Sequence, residues 1–237
     1  MSGADPDPGG PARLGIAIRL GVVFDLDGTL IDSRLDIANS ANHALSAHGY
    51  ATLSVSEIST YVGDGARLLL ARSARLEPSA PALDALLATF VAHYVEHPTD
   101  HTLLLPGAHE ALTQLSELNL PLALCTNKPR AIADRVLANL RLPVAFQVVV
   151  GSGDLPKNKP DPLPLRYIAT ELGLSPTELV MVGDGAQDIA CAKAAGAHSV
   201  GVVGGMQAHD LLLASEPDVL LESLLELPAA LQRWLNP

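Results

Sequence analysis

Gly21-Val-Val-Phe-Asp-Leu-Asp-Gly-Thr-Leu-Ile-Asp-Ser33 is the stretch on which the fold turns. Leu20 to Phe24 is an unbroken apolar run, the pattern of a strand buried on both faces of a parallel sheet. It stops on Asp25-Leu26-Asp27-Gly28-Thr29, two carboxylates one residue apart followed by a glycine. A strand ending in this way delivers two acids to the carboxyl edge of a sheet, where open α/β folds bind their ligands. Carboxylates that close repel each other, so the pair needs a cation or a shared proton. Taken alone, Asp-x-Asp-Gly is in most proteins a solvated acidic turn. An EF-hand calcium loop is excluded by register, because Gly28 falls fourth from Asp25 rather than sixth and a strand precedes it.

From about Pro106 onward, strand-like and helix-like segments alternate. Apolar strands are expected at Leu120–Cys125, Val144–Val150, Leu179–Val182 and Ser199–Val203. Helices are expected at Pro129–Leu140, Pro162–Leu172 and Ala186–Ala195, with an amphipathic helix over Val219–Leu235. This alternation predicts an α/β fold, a Rossmann-like parallel sheet with right-handed helical crossovers. Ser33–Leu104 differs: it carries helical patterns at Ile37–His48, Ala66–Leu76 and Ala82–Val95 and no convincing buried strand. The simplest layout is an all-helical insert joined to the core by linkers near Asp32 and Leu105. Residues 20–32 and 106–237 would form the core, residues 33–105 a cap able to close over the sheet edge and exclude water, and residues 1–19 a tail and lead-in.

Composition narrows the function classes. Of 237 residues, 48% are apolar and 17% charged, which describes a globular chain with a substantial core. A net charge of −11, from 15 basic and 26 acidic residues, argues against a nucleic-acid or anionic-membrane surface. An anionic substrate would therefore need a local positive site. The run from Leu14 to Phe24 is interrupted by Arg19 and is too short to span a bilayer, so the cytoplasm is the expected location. Cys125 and Cys191 suggest no disulfide framework and read as small core residues.

Four of the expected strands end in useful chemistry. The first delivers Asp25 and Asp27, and the second Thr126-Asn127-Lys128, a hydroxyl and an amide suited to phosphate oxygens. The third leads into Lys157-Asn-Lys159-Pro-Asp-Pro162, and the fourth into Gly183-Asp184-Gly185-Ala-Gln-Asp188. Asp184 and Asp188 are four residues apart and share a face if a helix begins at once. Each element alone is ordinary loop composition. Their joint occurrence, in this order and each at the end of an apolar strand, is not.

The set resembles the haloacid dehalogenase superfamily of phosphotransferases from Leu20 to the C-terminus. An insert between the first two motifs matches the helical cap of members acting on small phosphorylated molecules. Within that subgroup, Tyr61-Val-Gly-Asp-Gly-Ala-Arg67 and Cys125-Thr-Asn-Lys-Pro129 are similar to bacterial phosphoglycolate phosphatases. Gly185 departs from the serine often found after the fourth-motif aspartate. The resemblance implies a Mg²⁺-dependent phosphatase of a small phosphomonoester, 2-phosphoglycolate being the first choice. Asp25 would be the nucleophile forming an aspartyl-phosphate and Asp27 the general acid and base. Thr126, Asn127 and Gly28 would bind the phosphate. Mg²⁺ would be held by Asp25, the carbonyl of Asp27, Asp184 and Asp188. Lys159 would neutralise Asp25 and the phosphoryl oxygens, with Lys157 as its rival.

Several readings compete. Gly63–Arg67 opens a cap helix whose free N–H groups could bind an anion, and Arg67 could pair with a substrate carboxylate; a structural turn explains the same residues. His93, His97 and His101 recur every four residues, but Pro98 interrupts them, and solvated cap histidines are the simpler account. Another small-molecule phosphatase, a sugar-phosphate mutase or a non-catalytic ligand-binding relative would use the same core, as a monomer or homodimer. Phosphonoacetaldehyde hydrolysis would need a cap lysine, and residues 32–105 contain none. Dehalogenation leaves Asp27 without a leaving alkoxide to protonate.

Overall fold

The computed structural model describes residues 19–235. The tail read from the sequence lies outside them apart from Arg19. The chain begins with β1 (Gly21–Phe24) and a two-residue strand β2 (Ile31–Asp32). Four helices follow, α1 (Arg34–Ala47), α2 (Val55–Ser59), α3 (Ala66–Ala74) and α4 (Ala82–Glu96), and then β3 (Leu103–Leu104). The remainder alternates: α5 (Ala108–Glu117), β4 (Leu122–Pro129), α6 (Arg130–Asn139), β5 (Val148–Ser152), α7 (Leu163–Leu172), β6 (Leu179–Gly183), α8 (Ala186–Ala195) and β7 (His198–Val202). It closes with α9 (His209–Ala214), β8 (Val219–Leu221) and α10 (Leu227–Leu235).

Six strands form a parallel sheet in the order β5-β4-β1-β6-β7-β8. β1 is central, Val22 lying between Leu122 and Val180, and the connection reverses direction there, so the ligand crevice is expected at its carboxyl end. Strand side chains alternate into two apolar layers. Val22 and Phe24 pack with Leu112, Leu227 and Leu231 on one face, whereas Val23 meets Leu165, Ile168 and Met181 on the other. Burying side chains of this size contributes roughly 1.5–3 kcal/mol each, which is why an uninterrupted apolar run takes the middle position. Cys125 and Cys191 belong to the second layer and are unpaired. No described helix is long and apolar enough to cross a membrane.

α1 to α4 form the helical cap inserted in the α/β core. The chain leaves and returns side by side, because β2 pairs antiparallel with β3 (Ile31 with Leu104, Asp32 with Leu103) and the Leu105 amide donates to Leu30 O at 3.0 Å. Buried Asp36 of α1 fastens the return, accepting from the His101 amide (3.0 Å) and the Thr102 hydroxyl (2.6 Å).

Two expected elements differ. The strand expected from Val144 begins at Val148, since Pro143 lacks an N–H and the ladder starts only at Gln147, whose amide reaches Leu122 O at 2.8 Å. The helix expected over Val219–Leu235 is a strand, a short turn and a helix. Val219–Leu221 joins the open edge of β7, and the helix starts at Leu227 because Pro228 is tolerated only in a first turn. Trp234 on that helix stacks on His198, with ring centroids 4.7 Å apart.

Candidate active site

The carboxyl ends of β1, β4 and β6 converge with the loop before α7. Asp25, directly after β1, is buried, and its amide is fixed by Val182 O at 2.9 Å. Asp184 follows β6 and Asp188 lies in the first turn of α8, both buried. One carboxylate oxygen from each of Asp25, Asp184 and Asp188 lies within 4.8 Å of the others. The loop between β5 and α7 delivers buried Lys159, whose ammonium is 2.8 Å from Asp25, 2.6 Å from Asp188 and donates to Cys125 O at 2.6 Å. Lys157 is exposed, so position decides between the two lysines.

Three acids around one lysine leave excess negative charge. Burial, together with repulsion from Asp25, pushes the Asp184 carboxyl up to about 6, against the amides of Met206 and Gln207 and the Thr29 hydroxyl that favour its charged form. Asp188 is pushed upward by burial and by Asp25 and Asp184, with Lys159 opposing. Burial alone would discharge Lys159, but Asp188 and Asp25 outweigh it and keep it protonated well above the usual lysine range. Oδ2 of Asp188 accepts the Gly185 amide at 3.0 Å. Its Oδ1, close to Lys159 but outside hydrogen-bond geometry, is the one buried side-chain polar atom among the described residues without a hydrogen-bond partner. An orphaned carboxylate oxygen inside an all-oxygen triad suits a hard divalent cation. Asp25, Asp184 and Asp188 could hold one, and Gly28 makes room, since a Cβ there (φ 88°) would overlap the Asp184 carboxylate.

Asp27 stands apart from this triad. Its carboxylate accepts from the Ser33 hydroxyl (2.5 Å) and from Lys128 Nζ (2.9 and 3.2 Å). Lys128 also donates to the hydroxyl of Tyr94, on cap helix α4, at 2.7 Å. Sequence reasoning gave Lys128 and Tyr94 no role. The available signal was the rarity of lysine, four in the whole chain, with one directly after Thr126-Asn127.

The other expected site residues divide. Thr126 lines the cavity between sheet edge and cap, and its hydroxyl oxygen accepts the Lys128 amide at 3.2 Å, leaving its proton to donate. The Asn127 side chain is occupied by protein: Nδ2 donates to Gly63 O and Lys159 O, both at 2.9 Å, and Oδ1 accepts the Lys159 amide at 3.0 Å. It clasps the cap loop to the lysine loop at the cavity wall. Gly28 donates its amide to Ile31 O at 2.8 Å, so its place is steric. Arg67 is corrected: its guanidinium binds Asp84 (2.7 Å) and Pro78 O (2.9 Å) at the surface, because the first turn of α3 carries it toward α4. Gly63, Gly65 and Ala66 of the same loop do line the cavity. His97 and His101 are exposed as expected, His97 meeting Asp100 at 2.9 Å, whereas His93 is half-buried, stacked on His43 at 4.2 Å and bonded to Ser40.

Residues 22–202 match the model of the haloacid dehalogenase-like hydrolase family. The chain belongs to this family. Its relatives include proteins named phosphoglycolate phosphatase from Chromobacterium violaceum, 39% identical over 87% of this chain and 93% of that one, and from Neisseria meningitidis, 38% identical over 91% and 94%. Among solved structures, a predicted phosphoglycolate phosphatase from Haemophilus somnus superposes with a TM-score of 0.81 at 29% identity, covering 91% of this chain and 99% of that one. The family assignment fits a sheet whose acids gather at the end of its central strand.

Proposed function

We propose that this chain is a Mg²⁺-dependent phosphatase that hydrolyses a small phosphomonoester, 2-phosphoglycolate to glycolate and phosphate. The observation that carries it is the separation of Asp25 from Asp27. One is held by Lys159 among the metal-type carboxylates; the other faces a small cavity beside Thr126. Names borne by relatives that span most of the chain support the choice of substrate.

In this reading Asp25 attacks phosphorus and carries the phosphoryl group as an aspartyl-phosphate, dividing one hard step into two. Asp27 gives a proton to the leaving alkoxide and later takes one from the attacking water. Thr126 hydrogen-bonds the phosphoryl oxygens, and Lys159 offsets their charge as it grows. Mg²⁺, held by Asp25, Asp184, Asp188 and the carbonyl of Asp27, would offset the like charges of nucleophile and phosphate. Residues 33–105 act as the cap, covering a small cavity lined by Asp27, Thr126 and Lys128 from the core and by Leu69, Phe90 and Tyr94 from the cap. The protein would work on such free esters in the cytoplasm, as a monomer or homodimer.

A panel of phosphomonoesters tests the assignment. Phosphate release with Mg²⁺ is expected to be fastest from 2-phosphoglycolate and to vanish with EDTA. Isomerisation of a hexose phosphate without phosphate release would assign a mutase instead.

Thermal melts test the metal. Because the Asp184 pKa is raised in the fold from 3.8 to about 6, its contribution to stability is full below about pH 4 and is lost as the pH rises through 6. Asp188 acts in the same direction. The metal-free protein should therefore weaken through these groups on going from pH 5 to pH 8, where a cation compensates. A ligand at a hundred times its Kd adds about 2.7 kcal/mol, so Mg²⁺ should raise Tm by roughly 5–10 °C at pH 8. The increment should be smaller at pH 5 and largely absent in Asp184→Asn. An equal increment at both pH values would contradict the assignment.

A further inference from the structure

We infer that Lys128 and the Tyr94 hydroxyl form a subsite for an acidic group on the substrate, a carboxylate two or three atoms from the phosphoryl oxygen. The inference rests on the phosphatase reading above and names the residues that choose among small esters.

Lys128 is a core residue whose side chain is 2% exposed, yet it lines the cavity. Burying an ammonium group is costly, so its partners must compensate. Burial pulls its proton affinity down, but Asp27 and Tyr94 more than reverse this and keep it a cation. It also lies 4.3 Å from the centre of the Tyr94 ring.

Other nearby cations are engaged elsewhere. Lys159 is enclosed by Asp25 and Asp188, Arg67 turns to Asp84, and Arg72 pairs with Asp64. Among the described residues, Lys128 is the only cationic side chain on the cavity wall. Apart from Tyr94, the cap side chains on that wall, Ile37, Val62, Leu69 and Phe90 among them, are apolar and cannot solvate an anion. Lys128 is therefore the one full positive charge that a second anionic group in this cavity can meet, whereas a neutral group of equal size gains nothing from that charge.

Position supports the same conclusion. Thr126 and Lys128 leave one strand end two residues apart and both line the cavity, one beside the nucleophile and the other beneath the cap. A lysine needed only to orient Asp27 would have no use for a cap hydroxyl, since Ser33 already holds that carboxylate from the core side. Its flexible stem lets the ammonium turn from Asp27 to a substrate carboxylate, with Tyr94 available to either.

The test compares 2-phosphoglycolate with 2-phosphoethanol, equal in length but neutral at the far end. Kinetics use the full chain with Mg²⁺, and binding is measured by calorimetry in the Asp25→Asn background, where no turnover is needed. Losing a hydrogen bond to a charged group is worth about 10- to 150-fold. The wild-type preference for the carboxylate ester should be of that size and should fall to within about threefold in Lys128→Gln, mainly through KM. Tyr94→Phe, which keeps the ring and its packing, should reduce the preference several-fold. Equal losses on both esters in Lys128→Gln would mean that the lysine serves Asp27 alone and would overturn the subsite. A binding preference that disappears in Lys128→Gln sustains the subsite even if no ester is turned over, and in that case only the phosphatase reading falls.

Discussion

Asp25→Asn should eliminate phosphate release from every ester the protein hydrolyses, a loss of roughly 10⁵-fold or more, the scale on which removal of a catalytic nucleophile is felt. The amide is nearly the same shape but is not nucleophilic at neutral pH, so no covalent intermediate forms. The fold should survive. Lys159 retains Asp188 at 2.6 Å, and Asp184 and Asp188 are both raised in part by Asp25, so neutralising it relieves repulsion among the buried acids. A Tm equal to or above that of the wild type without metal is therefore expected alongside the lost turnover. Asp27→Asn should behave differently, costing about 10²–10⁴-fold as general acid-base residues do, and least for esters with good leaving groups. Turnover within tenfold of wild type in Asp25→Asn would remove the nucleophile from the mechanism, and with it the reading of the whole sheet edge.

The acids were legible because strand ends are local features. An apolar run that stops on Asp is visible without knowing the sheet order, and β1 and β6 each announce themselves in this way. Their convergence follows from the parallel sheet, in which neighbouring strands bring their carboxyl ends to one edge. Lys128 with Tyr94 was not legible. The two residues are 34 apart in sequence and belong to core and cap, so their meeting depends on how α4 rests on the sheet edge. Arg67 failed for the complementary reason. A helix start is readable, but the direction of its first-turn side chain is set by Asp84, 17 residues on and in another helix. The C-terminal tail was misread where amphipathic spacing outweighed one punctuating residue, Pro228. Asn127 shows a further limit: residue type suggested phosphate, but its three hydrogen bonds to backbone, which join the cap loop to the lysine loop, had no signal in the sequence.

Lys159→Met should be the most destabilising change at the site. Methionine approximates the length of the stem but removes the charge that sits 2.8 Å from Asp25 and 2.6 Å from Asp188. Breaking a buried ion pair from one side costs about 3–5 kcal/mol, or roughly 6–20 °C in Tm for a chain of this size. The same change at exposed Lys157 should stay within about 0.5 kcal/mol. If charge is the cause, the deficit must depend on pH with a definite sign. Without the ammonium, the carboxyl group of Asp188 loses its main counter-charge, and burial favours its protonated form more strongly. Stability gained by such groups is full below the ordinary carboxyl range and is lost as the pH rises through their values in the fold. Denaturant melts should therefore show a deficit that is large at pH 8 and narrows toward pH 5. Mg²⁺ should recover part of it at pH 8, because a cation on the same oxygens replaces some of the missing charge, while turnover stays low for want of the group facing the phosphoryl oxygens. A deficit of the same size at both pH values, untouched by Mg²⁺, would show that the lysine stem is needed for packing rather than for charge.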